Sequence, residues 1–144
     1  MRALSAAIRC AKGEVDANLA AHLRLLAEAG AGGAEPALFP EMSLTGSAGP
    51  AAHPERLIGL GHPAITALAR ATGEAGVGAR FGVAERSPGG EPRITQVFAA
   101  GVRLVGGIGP GRRAPPRAPP GLWIALAGQA GSTADEDFPG AWRR

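Results

Sequence analysis

The sequence predicts an α/β fold, on three observations. Apolar segments with strand and helix periods alternate in the order strand, helix, strand, helix, strand, strand. Each helical segment is followed by a glycine that can stop it, Gly30 for the first and Gly76 for the second. A short apolar run is then cut off by Pro40, which leaves one carboxylate, Glu41, at the carboxyl end of a strand.

The elements follow in order. Residues 4–8 are a short apolar run and the first strand. Asp16 can cap a helix that runs to about Ala29, with Gly30 just past its end. Val15, Leu19, Leu23 and Leu26 recur at helical spacing and mark its buried face. Residues 37–39 form the second strand. Pro40 has no N–H to donate and ends its ladder. Residues 50–61 read as loop. Pro63 suits a first helical position, and Ile65, Leu68, Ala69 and Thr72 form the apolar stripe of a second helix that stops near Gly76. Residues 79–85 are the third strand. Ser87-Pro88-Gly89-Gly90 is a turn. Residues 94–99 and 102–105 read as two strands joined tightly around Ala100 and Gly101.

The character of the chain changes after Gly106. Residues 106–121 are rich in Pro, Gly and Arg, lack apolar periodicity, and read as loop or disordered chain. Leu122 opens one more short apolar run, and Asp135, Glu136 and Asp137 form an acidic cluster read as a solvated turn. The expected division is 1–106 as the folded portion, 107–121 as the Pro/Gly/Arg-rich loop and 122–144 as a short tail.

Composition excludes several classes. A chain of 144 residues is one domain by length. Its single thiol, Cys10, excludes an internal disulfide and a multi-cysteine zinc site. No apolar run reaches membrane-spanning length, and Arg2 is not followed by the apolar core of a secretory leader. A cytoplasmic location is therefore expected. The net charge of +3 comes from arginines, several of them in the last third, at Arg112, Arg113, Arg117, Arg143 and Arg144. No nucleic-acid motif accompanies them, so neither nucleic acid nor a membrane is expected as a partner. The surplus of Ala, Gly, Pro and Arg matches what GC-rich coding DNA produces.

The segment Phe39-Pro40-Glu41-Met42-Ser43-Leu44-Thr45-Gly46 resembles the first catalytic motif of the carbon–nitrogen hydrolases, the nitrilase and aliphatic-amidase superfamily. Three further landmarks stand in the family's order. Gly13-Glu14-Val15-Asp16-Ala17-Asn18-Leu19 resembles the start of the first helix, where an Asn commonly precedes the helix-facing leucines. Phe81-Gly82-Val83-Ala84-Glu85 resembles the next core strand. Ile94-Thr95-Gln96-Val97-Phe98, with Val102-Arg103-Leu104-Val105-Gly106, resembles the hairpin that leads to a catalytic lysine. Extended without gaps, the match puts Pro110 where that lysine should be. Residues 123–131 and 135–140 resemble a later family segment, downstream of the nucleophilic cysteine.

The resemblance implies a partial four-layer α-β-β-α sandwich, of which this chain carries about the first half. It also implies a division of chemical labour. A cysteine thiolate attacks a nitrile or amide carbon, a glutamate moves protons, and a lysine stabilises the anionic tetrahedral species. Glu41 is the one candidate catalytic residue carried over. Cys10 and Lys12 both precede it, where the family has neither partner, and read as a packed thiol and an exposed lysine. His22, His53 and His62 lack metal-ligand spacing, and Gly89-Gly90 and Gly106-Gly107 lack the Lys of a phosphate loop. No cofactor and no metal are expected.

The expected function is that of a carbon–nitrogen hydrolase family member acting on nitriles, linear amides or carbamoyl compounds, incomplete and inactive as written. A non-catalytic, partner-binding fragment is the alternative. The expected partners are a small-molecule amide or nitrile if the site works, and a second copy of the chain. A half-sandwich leaves one sheet face without its partner sheet, which favours association.

Overall fold

The computed structural model describes residues 2–47 and 49–101. The expectations for 102–144, namely the last hairpin strand, the Pro/Gly/Arg-rich loop and the tail, lie outside the described residues.

A four-stranded sheet forms in sequence order, β1 (Leu4–Ser5), β2 (Ala37–Leu38), β3 (Ala79–Arg86) and β4 (Pro92–Ala99). The first three strands run parallel, and β4 returns antiparallel along β3 after the Ser87–Gly90 turn. Helix α1 (Val15–Ala31) connects β1 to β2, and α2 (Pro63–Ala75) connects β2 to β3. Both crossovers step one strand in the same direction. Right-handed connections therefore put both helices on one face of the sheet. There Leu26 and Ala29 of α1 and Ile65 and Leu68 of α2 bury Ala37, Phe39, Phe81, Val83 and Val97. On the opposite face Ser5 and Arg80 are exposed, and Leu38, Ile94 and Phe98 are partly so. Among the described residues the architecture is one sheet under one layer of helices.

Helix α2 matches its sequence reading. Pro63 opens it, the His62 ring nitrogen accepts from the Ala64 N–H at 3.2 Å, and Ile65, Leu68, Ala69 and Thr72 are buried. Gly76, at φ 66°, takes the left-handed conformation that ends it.

Helix α1 departs from its reading at both ends. Glu14, not Asp16, precedes the first helical residue and makes no side-chain cap. Asp16 lies inside the first turn, where its charge faces the positive end of the helix dipole. Gly30 does not stop the helix. A Cβ there would sit 2.8 Å from the Ala75 carbonyl oxygen, so Gly30 is the point where α1 lies against α2. The stop comes three residues later. Gly33 is left-handed at φ 64°, its N–H reaches the Gly30 carbonyl, and the Ala34 N–H reaches that of Ala29. This is the paired bonding of a Schellman ending. The fully buried stripe also differs from the expected leucines. It runs through Asn18, His22, Leu26 and Ala29, with Val15, Leu19 and Leu23 only partly buried around it.

Candidate active site

Glu41 stands where the sequence placed it, at the carboxyl end of β2. The Phe39 N–H donates to the Arg80 carbonyl at 2.8 Å, and Pro40 then breaks the ladder. A turn follows, closed by Ser43 N–H to the Pro40 carbonyl (3.2 Å) and Gly46 N–H to the Met42 carbonyl (2.7 Å). Met42 has φ 50°, the one left-handed non-glycine conformation among the described residues. Such a residue persists only where its surroundings over-determine it. Glu41 itself is solvent-exposed, and no described side chain bonds its carboxylate.

Three sets of contacts hold the turn. The first is β3. The Leu44 N–H donates to the Gly82 carbonyl at 3.0 Å, and the Thr45 hydroxyl oxygen accepts from the Ala84 N–H at 2.9 Å. Gly82 has no side chain on the face where the turn lies. A Cβ there would overlap the Met42 nitrogen and lie 3.0 Å from the Glu41 carbonyl carbon. Gln96, the cross-strand neighbour of Gly82, packs against the same spot, and its buried Oε1 has no hydrogen-bond partner among the described residues.

The second set is the β1–α1 loop. The Gly13 N–H donates to the Thr45 carbonyl at 2.8 Å, and Gly46, at φ 73°, would put a Cβ 2.5 Å from the Ala11 carbonyl oxygen. Asn18 ties loop and turn together. Its Oδ1 accepts from the Ala11 N–H (2.8 Å), and its Nδ2 donates to the Ala11 carbonyl (2.8 Å) and the Leu44 carbonyl (3.1 Å).

The third is His22, fully buried one turn along α1 from Asn18. Its ring stacks on Phe39 at 4.2 Å and meets Phe81 edge-on at 6.2 Å. Nδ1 lies 2.6 Å from the Asn18 carbonyl oxygen and Nε2 lies 2.9 Å from the Ser43 hydroxyl. Burial pushes its pKa down from 6.5, against the smaller upward pull of the Asn18 carbonyl.

Cys10 and Lys12 sit in the loop that packs on the turn, but neither bonds to Glu41. The Cys10 sulfur is 3.8 Å from the Ile8 carbonyl, and burial raises its pKa. An activated nucleophile needs the opposite shift. Lys12 is exposed. His53 pairs with Glu55 on the surface at 3.1 Å. No group of three metal-ligating side chains occurs among the described residues.

Sequence reasoning missed a second carboxylate. Glu85 is 2 % exposed at the end of β3 and accepts a 2.5 Å hydrogen bond from the Thr95 hydroxyl. The available signal was its place directly after the apolar residues Val83 and Ala84, with no turn residue between.

The mixed sheet with its layer of helices has structural counterparts. An amidase from Nesterenkonia sp. superposes with a TM-score of 0.57 at 21% identity, over 69% of this chain and 38% of that one. Over the matched length, the chain shares the fold of these amidases. The NitN amidase of Nesterenkonia sp. AN1 matches with a TM-score of 0.60 at 19% identity, over 75% of this chain and 43% of its own. A glutamate-to-glutamine mutant of the AN1 amidase matches with a TM-score of 0.59 at 18% identity, over 74% and 42%. That structure shows acrylamide joined by Michael addition to the amidase's active-site cysteine. The present chain thus spans about two fifths of the amidases it resembles. No protein-family profile and no curated protein sequence matches it. No helix among the described residues is long and apolar enough to cross a membrane.

Proposed function

We propose that this chain carries the glutamate station of a carbon–nitrogen hydrolase and does not complete the reaction by itself. The observation that carries the reading is the Glu41 turn, over-determined by β3, the β1–α1 loop and α1, on a sheet with the amidase fold. In this chemistry a carboxylate takes the proton of a thiol and returns it to the leaving amine. The substrate class is nitriles, linear amides or carbamoyl compounds. The four-layer sandwich of the whole enzyme is part of the same proposal.

The one cysteine and the one lysine of the sequence both precede Glu41. Partial burial raises the Cys10 pKa, opposite to the shift an activated nucleophile needs. Nucleophile and oxyanion partner act as a unit, so a chain without them should show no steady amide or nitrile hydrolysis above buffer. Turnover of a simple amide by the purified chain, abolished by Glu41→Gln, would overturn this.

The second reading is a partner-binding fragment. It is favoured by the sheet face that no helix covers among the described residues, where Leu38, Ile94 and Phe98 are partly exposed, in a chain that spans two fifths of its counterparts. Open apolar faces and strand edges associate. Sedimentation at micromolar concentration should then show dimers or larger species. A monomer that melts cooperatively and binds no hydrophobic dye would argue against it.

A further inference from the structure

The strongest unassigned feature is a buried histidine whose contacts bracket Glu41. Phe39, two residues before it, stacks on one face of the His22 ring, and Ser43, two residues after it, meets Nε2. We propose that His22 is a positioning residue for the Glu41 turn, and that protonation of its ring releases the turn while the rest of the fold stays closed. The claim rests on the reading of Glu41 as the functional carboxylate only for its consequence, the control of that group's position.

The tautomer follows from the partners. A carbonyl oxygen can only accept, so the 2.6 Å contact to Asn18 requires a proton on Nδ1. Neutral Nε2 then has only a lone pair to offer, and the Ser43 hydroxyl donates to it across 2.9 Å. Adding a proton at Nε2 reverses this bond. The Ser43 hydroxyl must turn round, its hydrogen loses its acceptor, and a full charge appears in a fully buried pocket.

Among the described residues no charged side chain contacts the ring. The groups that face the ring are Asn18 from α1, Phe39 from the end of β2, Ser43 from the turn and Phe81 from β3. None is ionisable in the working range. Burial is the larger influence on the ring and the Asn18 carbonyl the smaller, with no ionised side chain between them.

The direction of the pH effect is then set. The closed turn holds His22 below its ordinary value of 6.5, while an opened turn restores that value. Above it neither state binds the proton, and closure is at full strength. Below it the open state alone gains a proton. Closure should then weaken by up to about tenfold per pH unit, until the closed ring titrates too. The turn can open as a unit because five ties join it to the rest of the fold: Leu44 to Gly82, Thr45 to Ala84, Gly13 to Thr45, the Asn18 amide to Leu44, and Ser43 to His22 itself.

Amide hydrogen exchange on the full chain at pH 7.5 and pH 5.5, corrected for intrinsic rates, tests this without any turnover. The Leu44 and Gly46 amides should lose roughly tenfold in protection at the lower pH. Leu68 and Ala69 in α2 should keep theirs. A His22→Gln chain, with no proton to gain, should show a flat profile for the turn. Unchanged protection of Leu44 and Gly46 in the wild-type chain would overturn the proposal. So would equal loss in α2, which would make His22 an ordinary core histidine that titrates on global unfolding. A pH response that survives His22→Gln would overturn it as well.

Discussion

Gly82→Val should cost about 3 kcal/mol of stability and displace the Glu41 turn, at the upper end of what overpacking costs. Strand propensity alone predicts the opposite sign. A glycine inside a strand is a poor choice, and a β-branched replacement normally gains. The contacts decide against propensity. A Cβ on Gly82 would overlap the Met42 nitrogen, and would lie 2.9 Å from Gln96 Nε2 and 3.0 Å from the Glu41 carbonyl carbon. Two of these three atoms are backbone, which cannot swing aside as a side chain can. The turn cannot retreat cheaply either. Leu44 bonds it to the Gly82 carbonyl, Thr45 bonds it to the Ala84 N–H, and Asn18 bonds the Leu44 carbonyl. Denaturant unfolding of Gly82→Val and of the milder Gly82→Ala measures the effect. Valine should lower the midpoint strongly and alanine less. A valine variant as stable as wild type would mean that the turn does not rest on β3.

The same residue shows why parts of the site were hidden in the sequence. Gly82 reads as one more member of an apolar strand, because the atoms that require it to be glycine come from Glu41 and Met42, forty positions away. Gly30 misleads in the same manner. Its local signal is a helix stop, while its actual constraint is the Ala75 carbonyl of another helix. By contrast, α2 was readable throughout. Its opening proline, its closing glycine and its apolar stripe all point to one boundary and one face, and the structure agrees with each. Glu41 was readable because Pro40 marks the strand exit within a few residues. Its supports were not. A helical wheel ranks Asn18 and His22 behind the leucines, since apolar periodicity carries no information about a turn that brings carbonyls and a hydroxyl to meet them. Two of the four buried positions of α1, Asn18 and His22, are therefore polar for a reason that lies outside α1.

That reason can be measured at Asn18. Asn18→Ala should destabilise the chain by about 3 kcal/mol, since three backbone groups lose their partners at roughly 1 kcal/mol each. The groups are the Ala11 N–H, the Ala11 carbonyl and the Leu44 carbonyl. Asn18 is only 4 % exposed, so water replaces the amide poorly without opening the loop. On a chain of this size the melting temperature should fall by roughly 10 °C. Asn18→Asp then separates shape from donor chemistry. The carboxylate has the same outline and can still accept from the Ala11 N–H, but it has no hydrogen for the two carbonyls. Ionised, it places negative charge against both carbonyl oxygens. Protonated, it recovers one donor. The aspartate variant should therefore be at least as damaged as the alanine variant near neutral pH, and should regain part of its deficit at pH 4. If the amide merely filled space, aspartate would be nearly silent and alanine would carry the whole cost. If both variants stayed within about 0.5 kcal/mol of wild type, as surface substitutions do, Asn18 would not tie the β1–α1 loop to the turn. The position of Glu41 would then depend on β3, the Gly13 bond to Thr45 and His22.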